Sequence, residues 1–545
     1  MSFSWPALPG LSRQTADSIP LARLVTAAAV VVGLIFYVSA FRLTWIDDAY
    51  IQLRYARTLL ESGTWGFYAG YPANTATAPL NVLLIALAGF PLGSVERAVT
   101  VLTALELAGL LVFLLRLSRR LFRRDFFGWF AFLAIAANPL LLSTIGMESL
   151  LYALLFVAAL VCFVEDRWTP MAVALGLLTL ARPDGVVWLA VLLPLAAAPL
   201  RRKAAALLVY AATIAPWFLF SWVALGSFVP DTLVIKVGDQ AWGATSFADG
   251  LGLYLGRFPL ETLASLFLAP LCIFPLWQCG PRVVKTVTVL AAYGILHFVL
   301  YATLGVPPYH WYFVHQLVPM LLIASIGAAY YVERFAGTPV APWLRAAVAV
   351  PVAGLLMLVW DEGLPFDEAP INTNWATGRE YEGLGTWMRD NLEPTQAVRV
   401  IGEIGTVAYY SDRYMVNEFS DMSITDGLIA EAGYTERPGI GRLFAFNFLW
   451  RRAHQPLPTP AFEFVPVPHD DGFPRCPLED PACRTVQEGT SDWVGRKWMA
   501  IRMVVQDPGA PPPLPPPPLA SAPTTTADRN LGESANNLAH RGGPS

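Results

Sequence analysis

Apolar residues come in long, nearly unbroken blocks as far as position 360, and no block of that length follows. A helix needs roughly 20 apolar residues to cross a bilayer. Blocks of about that size lie at 21–41, 97–115, 126–143, 149–164, 203–225, 261–276, 284–304, 316–332 and 341–360. Two shorter ones, 170–180 and 186–200, flank Arg182-Pro183-Asp184-Gly185 and read as two helices meeting at a break, which gives eleven predicted spans. The block 79–90 is only about half a span and reads as interfacial or re-entrant.

Beyond position 360 the pattern changes period. Residues 380–392 and 424–432 read as helices, 397–401 and 414–417 as short strands, and 493–505 as strand-rich. That mixture predicts a small α/β domain over 361–506. Residues 507–545 contain a polyproline run and a Thr/Ala/Asn/Gly-rich tail, and they lack the apolar surface needed to fold. The predicted organisation is a short N-terminus (1–20), a transmembrane part (21–360), an α/β domain (361–506) and a disordered tail (507–545).

Composition agrees with this division. Of 545 residues, 55% are hydrophobic and 14% charged, where soluble chains carry about 25% charge. The net charge of −4 argues against nucleic acid as a partner. Basic clusters at Arg116–Arg124, Arg201–Lys203, Arg282/Lys285 and Arg334/Arg345 all fall on one face if 79–90 does not cross. By the positive-inside rule that face is cytoplasmic. The N-terminus is then cytoplasmic, and everything after Trp360 lies outside. The first block has the alternative of a signal peptide, but no small-residue cleavage site follows it.

Of the five cysteines, Cys162, Cys272 and Cys279 lie in or beside spans and read as packing residues. Cys476 and Cys483 share a Pro-rich loop of the external domain, where an oxidising compartment favours a disulfide. Two sulfurs without nearby histidines fill only half a zinc shell, which argues against a metal there.

The chemistry-bearing residues cluster in the external loops. Directly after the first block stand Asp47 and Asp48, two adjacent carboxylates that raise each other's cost of ionisation. The structural alternative is that Asp47 caps a helix over 48–61. The second external loop carries Gly146-Met147-Glu148, and Glu148 equally suits a helix cap. Later loops carry Pro230-Asp231-Thr232 with Lys236, and Tyr309-His310-Trp311-Tyr312. Arg182 and Asp184 suit an ion pair within a broken helix. Charges at such a break are costly inside a bilayer and are functional by default. His310 equally suits an aromatic interfacial belt, and Lys236 a solvated surface.

The order of these motifs resembles the GT-C glycosyltransferases, and within them the mycobacterial arabinofuranosyltransferases and their bacterial relatives. The matches are Asp47-Asp48, Gly146-Met147-Glu148, Arg182-Pro183-Asp184-Gly185, Pro230-Asp231-Thr232 with Lys236, and a strand-and-turn signature at Gly402–Tyr410. Pro-Asp-Thr replaces the family's Pro-Asn-Thr, and Thr77-Ala78-Pro79 replaces Thr-Asn-Pro. The resemblance implies a bacterial plasma-membrane enzyme that transfers a sugar, with inversion, from a polyprenyl phosphate to an external glycan or glycoprotein. Arabinofuranose is the first expectation for the sugar, with a hexose or mannose as runner-up. It also implies Asp47 as general base, Asp48 as its positioning partner, and Glu148, Arg182, Asp231, Lys236, Tyr309 and His310 around donor and phosphate. A divalent cation on Asp47 and Asp48 is an open expectation. The rivals are a lipid-linked-sugar transporter and a membrane-anchored scaffold. A transporter usually carries broken helices in matching positions of two halves, and only one such break is evident.

Overall fold

The structure, a computed structural model, describes residues 21–503 apart from 123, 197, 239–244, 337, 340–341, 343–352, 354–365, 367, 401, 433–437, 469–482 and 490–496. The predicted span 341–360, the N-terminus 1–20 and the tail 507–545 lie outside the described residues, wholly or almost so.

The helical part runs α1 (Leu21–Ser39), α2 (Asp47–Ser62), α3 (Pro79–Leu92), α4 (Val95–Leu121), α5 (Phe126–Ala136), α6 (Pro139–Leu142), α7 (Ser149–Val164), α8 (Trp168–Ala181), α9 (Val186–Leu195), α10 (Leu200–Ala224), α11 (Thr232–Gly238), α12 (Gly250–Arg257), α13 (Pro259–Leu266), α14 (Pro281–Leu304) and α15 (Val314–Arg334). Four helices among the described residues are long and apolar enough to cross a membrane: Val95–Leu121, Leu200–Ala224, Pro281–Leu304 and His310–Arg334. Seven shorter apolar helices accompany them. The protein is therefore a polytopic helical membrane protein.

Two predicted blocks are broken. The block 126–143 divides at Asn138-Pro139, because proline cannot continue α5. The Asn138 side chain accepts from the Leu140 and Leu141 N–H groups and starts α6 instead. The block 261–276 gives way to the turn Ala269–Cys272, with Pro270 and Pro275 on either side of its end. The bundle core is aromatic at its centre. Trp188 stacks between Phe156 and Tyr293 at ring separations of 4.0 and 3.7 Å.

The C-terminal part contains α16 (Gly378–Asn391), β1 (Ala397–Val400), α17 (Gly405–Ser411), β2 (Tyr414–Val416), α18 (Met422–Ala432), α19 (Pro438–Asn447), β3 (Pro460–Pro468), β4 (Cys483–Gly489) and β5 (Lys497–Met503). The strands form one mixed sheet in the order β2-β1-β3-β5-β4. β1 pairs in parallel with β2 and β3, and β5 pairs antiparallel with β3 and β4. A capping box between Thr377 and Glu380 starts α16. The segment expected as strand-and-turn differs: the strand ends at Val400, Gly402 turns the chain at φ +83°, and Gly405–Ser411 is helical.

The two parts meet along α2. A side chain at Gly405 would stand 2.1 Å from the Asp47 carbonyl oxygen, so only glycine lets α17 approach α2 so closely. Around that point Tyr50 and Tyr410 share a hydroxyl contact at 3.0 Å. Arg54 pairs with Asp412 at 2.8 Å, and Arg57 donates to the Tyr409 carbonyl at 3.0 Å.

Candidate active site

A cavity of about 810 Å³ opens at this seam. Asp47 and Asp48 reach it from α2, Lys236 from α11, and Tyr309 and Trp311 from the loop before α15. The α/β part contributes Asn374, Trp375, Arg399, Glu403, Glu418 and Asp421 among others.

Asp47 does not cap its own helix as the sequence suggested. Ile46 occupies that position, and the Asp47 carboxylate turns to the start of α17 instead. Its Oδ2 accepts from the Gly405 N–H at 2.9 Å. Its Oδ1 accepts from the Thr406 N–H at 2.7 Å and the Thr406 hydroxyl at 2.9 Å. Those contacts fill Oδ1 and leave one lone pair on Oδ2. Burial pushes the carboxyl up to about 6, against the pull of these donors. The Asp47 N–H is held by Asn374 Oδ1 at 3.1 Å.

Asp48 faces Lys236 at 3.3 Å. The ammonium also stands 4.6 Å from the Tyr309 ring centre, 5.6 Å from Trp311 and 5.9 Å from Tyr312. Burial alone would lower the Lys236 pKa, but the Asp48 carboxylate together with Tyr312 and Tyr309 outweighs it and holds the amine charged, above its ordinary value. Lys236 and Arg399 are the cationic residues among the described lining. Opposite them, Glu403 accepts from the Trp375 N–H at 2.9 Å and from the Tyr381 hydroxyl.

The other expected site residues lie elsewhere. Glu148 makes no cap bond and is fully buried. It takes Arg182 Nη1 at 2.6 Å and Gln52 Nε2 at 2.5 Å, and Asn81 in turn donates to Gln52 at 2.7 Å. Arg182 also stands 3.4 Å from Asp184. Asp184 Oδ2 receives Tyr301 at 2.5 Å and both His297 and His315 Nε2 at 3.3 Å. The Tyr312 ring stands near both this network and Lys236, 5.3 Å from Arg182 and 5.9 Å from the Lys236 ammonium. Asp231 pairs with Arg451 at 2.8 Å, away from the cavity. His310 is buried against the Ser143 carbonyl at 3.4 Å and does not line the cavity either.

Asp184, His297 and His315 lie close enough to share a metal ion. Their geometry fits a hydrogen-bonded cluster better. The two imidazoles stack at 4.3 Å with planes 21° apart, so their in-plane lone pairs run nearly parallel instead of converging. Their Nδ1 atoms are taken by Gln316 at 2.8 Å and Tyr293 at 3.1 Å. At Asp47 and Asp48, the donors on Asp47 occupy most of the oxygen a hard cation would use. Cys162, Cys272 and Cys279 are free thiols, the first buried and the other two half-buried. Cys476 lies outside the described residues, so its pairing with Cys483 stands as a sequence expectation.

Sequence reasoning missed Gly405 and Thr406 as partners of Asp47, along with Asn374, Trp375 and Arg399. The motif around Gly402–Tyr410 stood out, but nothing in it says which acid its amides would meet.

No family model matches the chain, and no curated protein matches it. Solved structures do. ArnT from Cupriavidus metallidurans, in a crystal structure bound to undecaprenyl phosphate, is 16% identical with a TM-score of 0.54, covering 88% of this chain and 98% of that one. Its apo form gives 14% and 0.55 over the same shares. The arabinofuranosyltransferase AftD from mycobacteria is 14% identical with a TM-score of 0.46, over 90% of this chain and 40% of that one. The near full-length match to ArnT establishes a shared fold.

Proposed function

We propose that this chain is an inverting glycosyltransferase that moves a sugar from a polyprenyl phosphate to an acceptor hydroxyl in the seam cavity, on the external side of the membrane. The observation that carries the proposal is that Asp47, basic and with one open oxygen lone pair, and a half-buried charged Lys236 line one cavity of substrate size. The fold shared with ArnT, whose structure holds undecaprenyl phosphate, supports a lipid-linked donor.

In this reading the acceptor hydroxyl gives its proton to Asp47 Oδ2 as its oxygen bonds to the anomeric carbon. The anomeric carbon–phosphate oxygen bond breaks on the opposite face, and the polyprenyl phosphate leaves. Lys236 takes up the charge that develops on that phosphate, moving from Asp48 to do so. Asp48 acts as its resting partner. A carboxyl near 6 is mostly ionised at neutral pH yet more basic than an ordinary aspartate, which suits a general base. The sugar is arabinofuranose on the strength of the motifs, with a hexose as the alternative. The acceptor is a cell-envelope glycan or glycoprotein.

The test is turnover of synthetic lipid donors by the reconstituted protein. Polyprenyl-phosphate arabinofuranose offered with an arabinan oligosaccharide should release polyprenyl phosphate, and the mannose analogue should release little. Faster consumption of the mannose donor would change the sugar. Consumption of neither, alongside transport of the lipid across the bilayer, would put the protein in the transporter class.

A further inference from the structure

Residues 361–506 read as a soluble domain, yet one stretch of them presents a face unsuited to water. In α19 and the turn after it, Leu443 is 72% exposed, Phe446 48%, Leu449 60% and Trp450 51%. Four large apolar side chains within eight residues form a patch of the kind that marks an interaction surface.

The patch does not stand alone. The Trp222 indole N–H donates to the Phe446 carbonyl at 2.9 Å, and their rings lie 4.5 Å apart. The Val229 N–H donates to Asn447 Oδ1 at 2.7 Å, and the Phe228 N–H to the Asn447 carbonyl at 3.1 Å. Trp222 belongs to α10, a helix long and apolar enough to span, whose neighbouring Leu219 and Val223 are 54% and 60% exposed. The exposed apolar residues of α19 thus adjoin those at the end of a membrane helix. Arg442 and Arg452 stand exposed at either end of the apolar run. Apolar and aromatic residues on one face with flanking arginines are the make-up of a helix lying in a lipid interface.

We propose that residues 438–450 lie in the bilayer surface on the cavity's side, with Leu443, Phe446, Leu449 and Trp450 among acyl chains and Arg442 and Arg452 at phosphate headgroups. The contact bears on the cavity. Arg451, next in the chain, pairs with Asp231 at 2.8 Å and with Asp426 of α18 at 2.7 Å. Ile424 of the same helix lines the cavity. The roof of the cavity therefore has a foothold in the membrane, independent of what reaction takes place beneath it.

The test uses full-length protein in phosphatidylcholine nanodiscs. Leu443→Cys and Leu449→Cys are each labelled with an environment-sensitive nitrobenzoxadiazole dye, and unsubstituted protein gives the background from native thiols. Glu393→Cys, at an exposed polar position, is the aqueous control. At 443 and 449 we expect blue-shifted emission, strong quenching by lipids carrying a nitroxide near the headgroup, and little quenching by iodide. The control should show the reverse. Quenching by iodide and not by nitroxide lipid at both positions would place the face in water. Protection from both quenchers would mean a protein partner covers it. Either result overturns the proposal. The two labelled positions are independent, and both side chains are exposed, so loss of fold is not expected to obscure the outcome.

Discussion

Two buried acidic centres lie in this molecule, and they differ in what they leave open. Asp184 sits inside the bundle, where Oδ2 meets Tyr301, His297 and His315 and the Arg182 Nε stands 3.4 Å from both oxygens. Each of those partners belongs to the protein. Asp47 sits at the seam and is just as firmly held, by Gly405 and Thr406, but it lines a cavity and its Oδ2 accepts a single hydrogen bond. The rule that buried charges in a membrane are functional would pick both centres. What separates them is that Asp47 lines a cavity of substrate size and Asp184 does not. The interior centre reads as a brace that ties the α8–α9 break to α2, α7, α14 and α15, and the seam centre as the reactive one.

Replacing one residue in each centre should break them differently. Asp47→Asn keeps shape and polarity but removes the proton acceptor. Turnover should fall by about 10²–10⁴-fold, the usual cost of a lost general base, while the protein still unfolds near the wild-type temperature and still binds donor lipid. Near wild-type turnover would make another acid the base. Arg182→Ala should do the opposite. It strands Glu148 and Asp184 in the bundle, and breaking a buried pair costs about 3–5 kcal/mol, read by thermal unfolding in detergent. If Arg182→Ala left stability intact and abolished turnover, the interior centre would be catalytic and the contrast would fail.

A smaller effect is expected at Lys236. Lys236→Ala removes one charged contact to the donor phosphate, worth about 1.5–3 kcal/mol. The KM for donor lipid should rise roughly 10–100-fold by that measure, with stability nearly unchanged. The smallest effect is on pH dependence. Protonation of Asp47 below about pH 6 should switch off the base, so kcat/KM should fall along an acid limb near that value. The Thr406 hydroxyl favours the charged form of Asp47, so Thr406→Ala should raise the pKa and move the limb to higher pH. The same raised pKa affects folding. The native state holds this proton more tightly than the unfolded chain does, so Asp47's contribution to stability is full below its ordinary pKa and is lost as pH rises through about 6.

The sequence made the membrane helices legible because a spanning helix must satisfy its own backbone, and long apolar blocks result. The blocks that misled did so at Asn138-Pro139 and around Pro270, where a continuous apolar pattern hides a chain break. Position along the chain and the family resemblance singled out Asp47, Asp48, Lys236 and Tyr309, each of which lines the cavity. The same signals grouped Glu148, Arg182, Asp231 and His310 with them because their loops share a membrane face. Proximity to that face does not tell a side chain which way to point, and in the structure these four turn to partners inside the protein. The role of Gly405 and Thr406 was illegible for a related reason. Their contact with Asp47 joins positions 358 and 359 residues apart, and no local pattern records it.

The most direct test is native mass spectrometry of protein released from membranes in its own lipids, comparing wild type with Asp47→Asn and Lys236→Ala. Wild type and Asp47→Asn should each carry one polyprenyl phosphate or its sugar adduct, with the intact adduct accumulating on Asp47→Asn, and Lys236→Ala should have lost most of it. Equal retention by all three proteins would mean that the seam cavity does not hold the donor phosphate. Absence of a polyprenyl lipid from wild type and from Asp47→Asn alike would contradict the account at its centre.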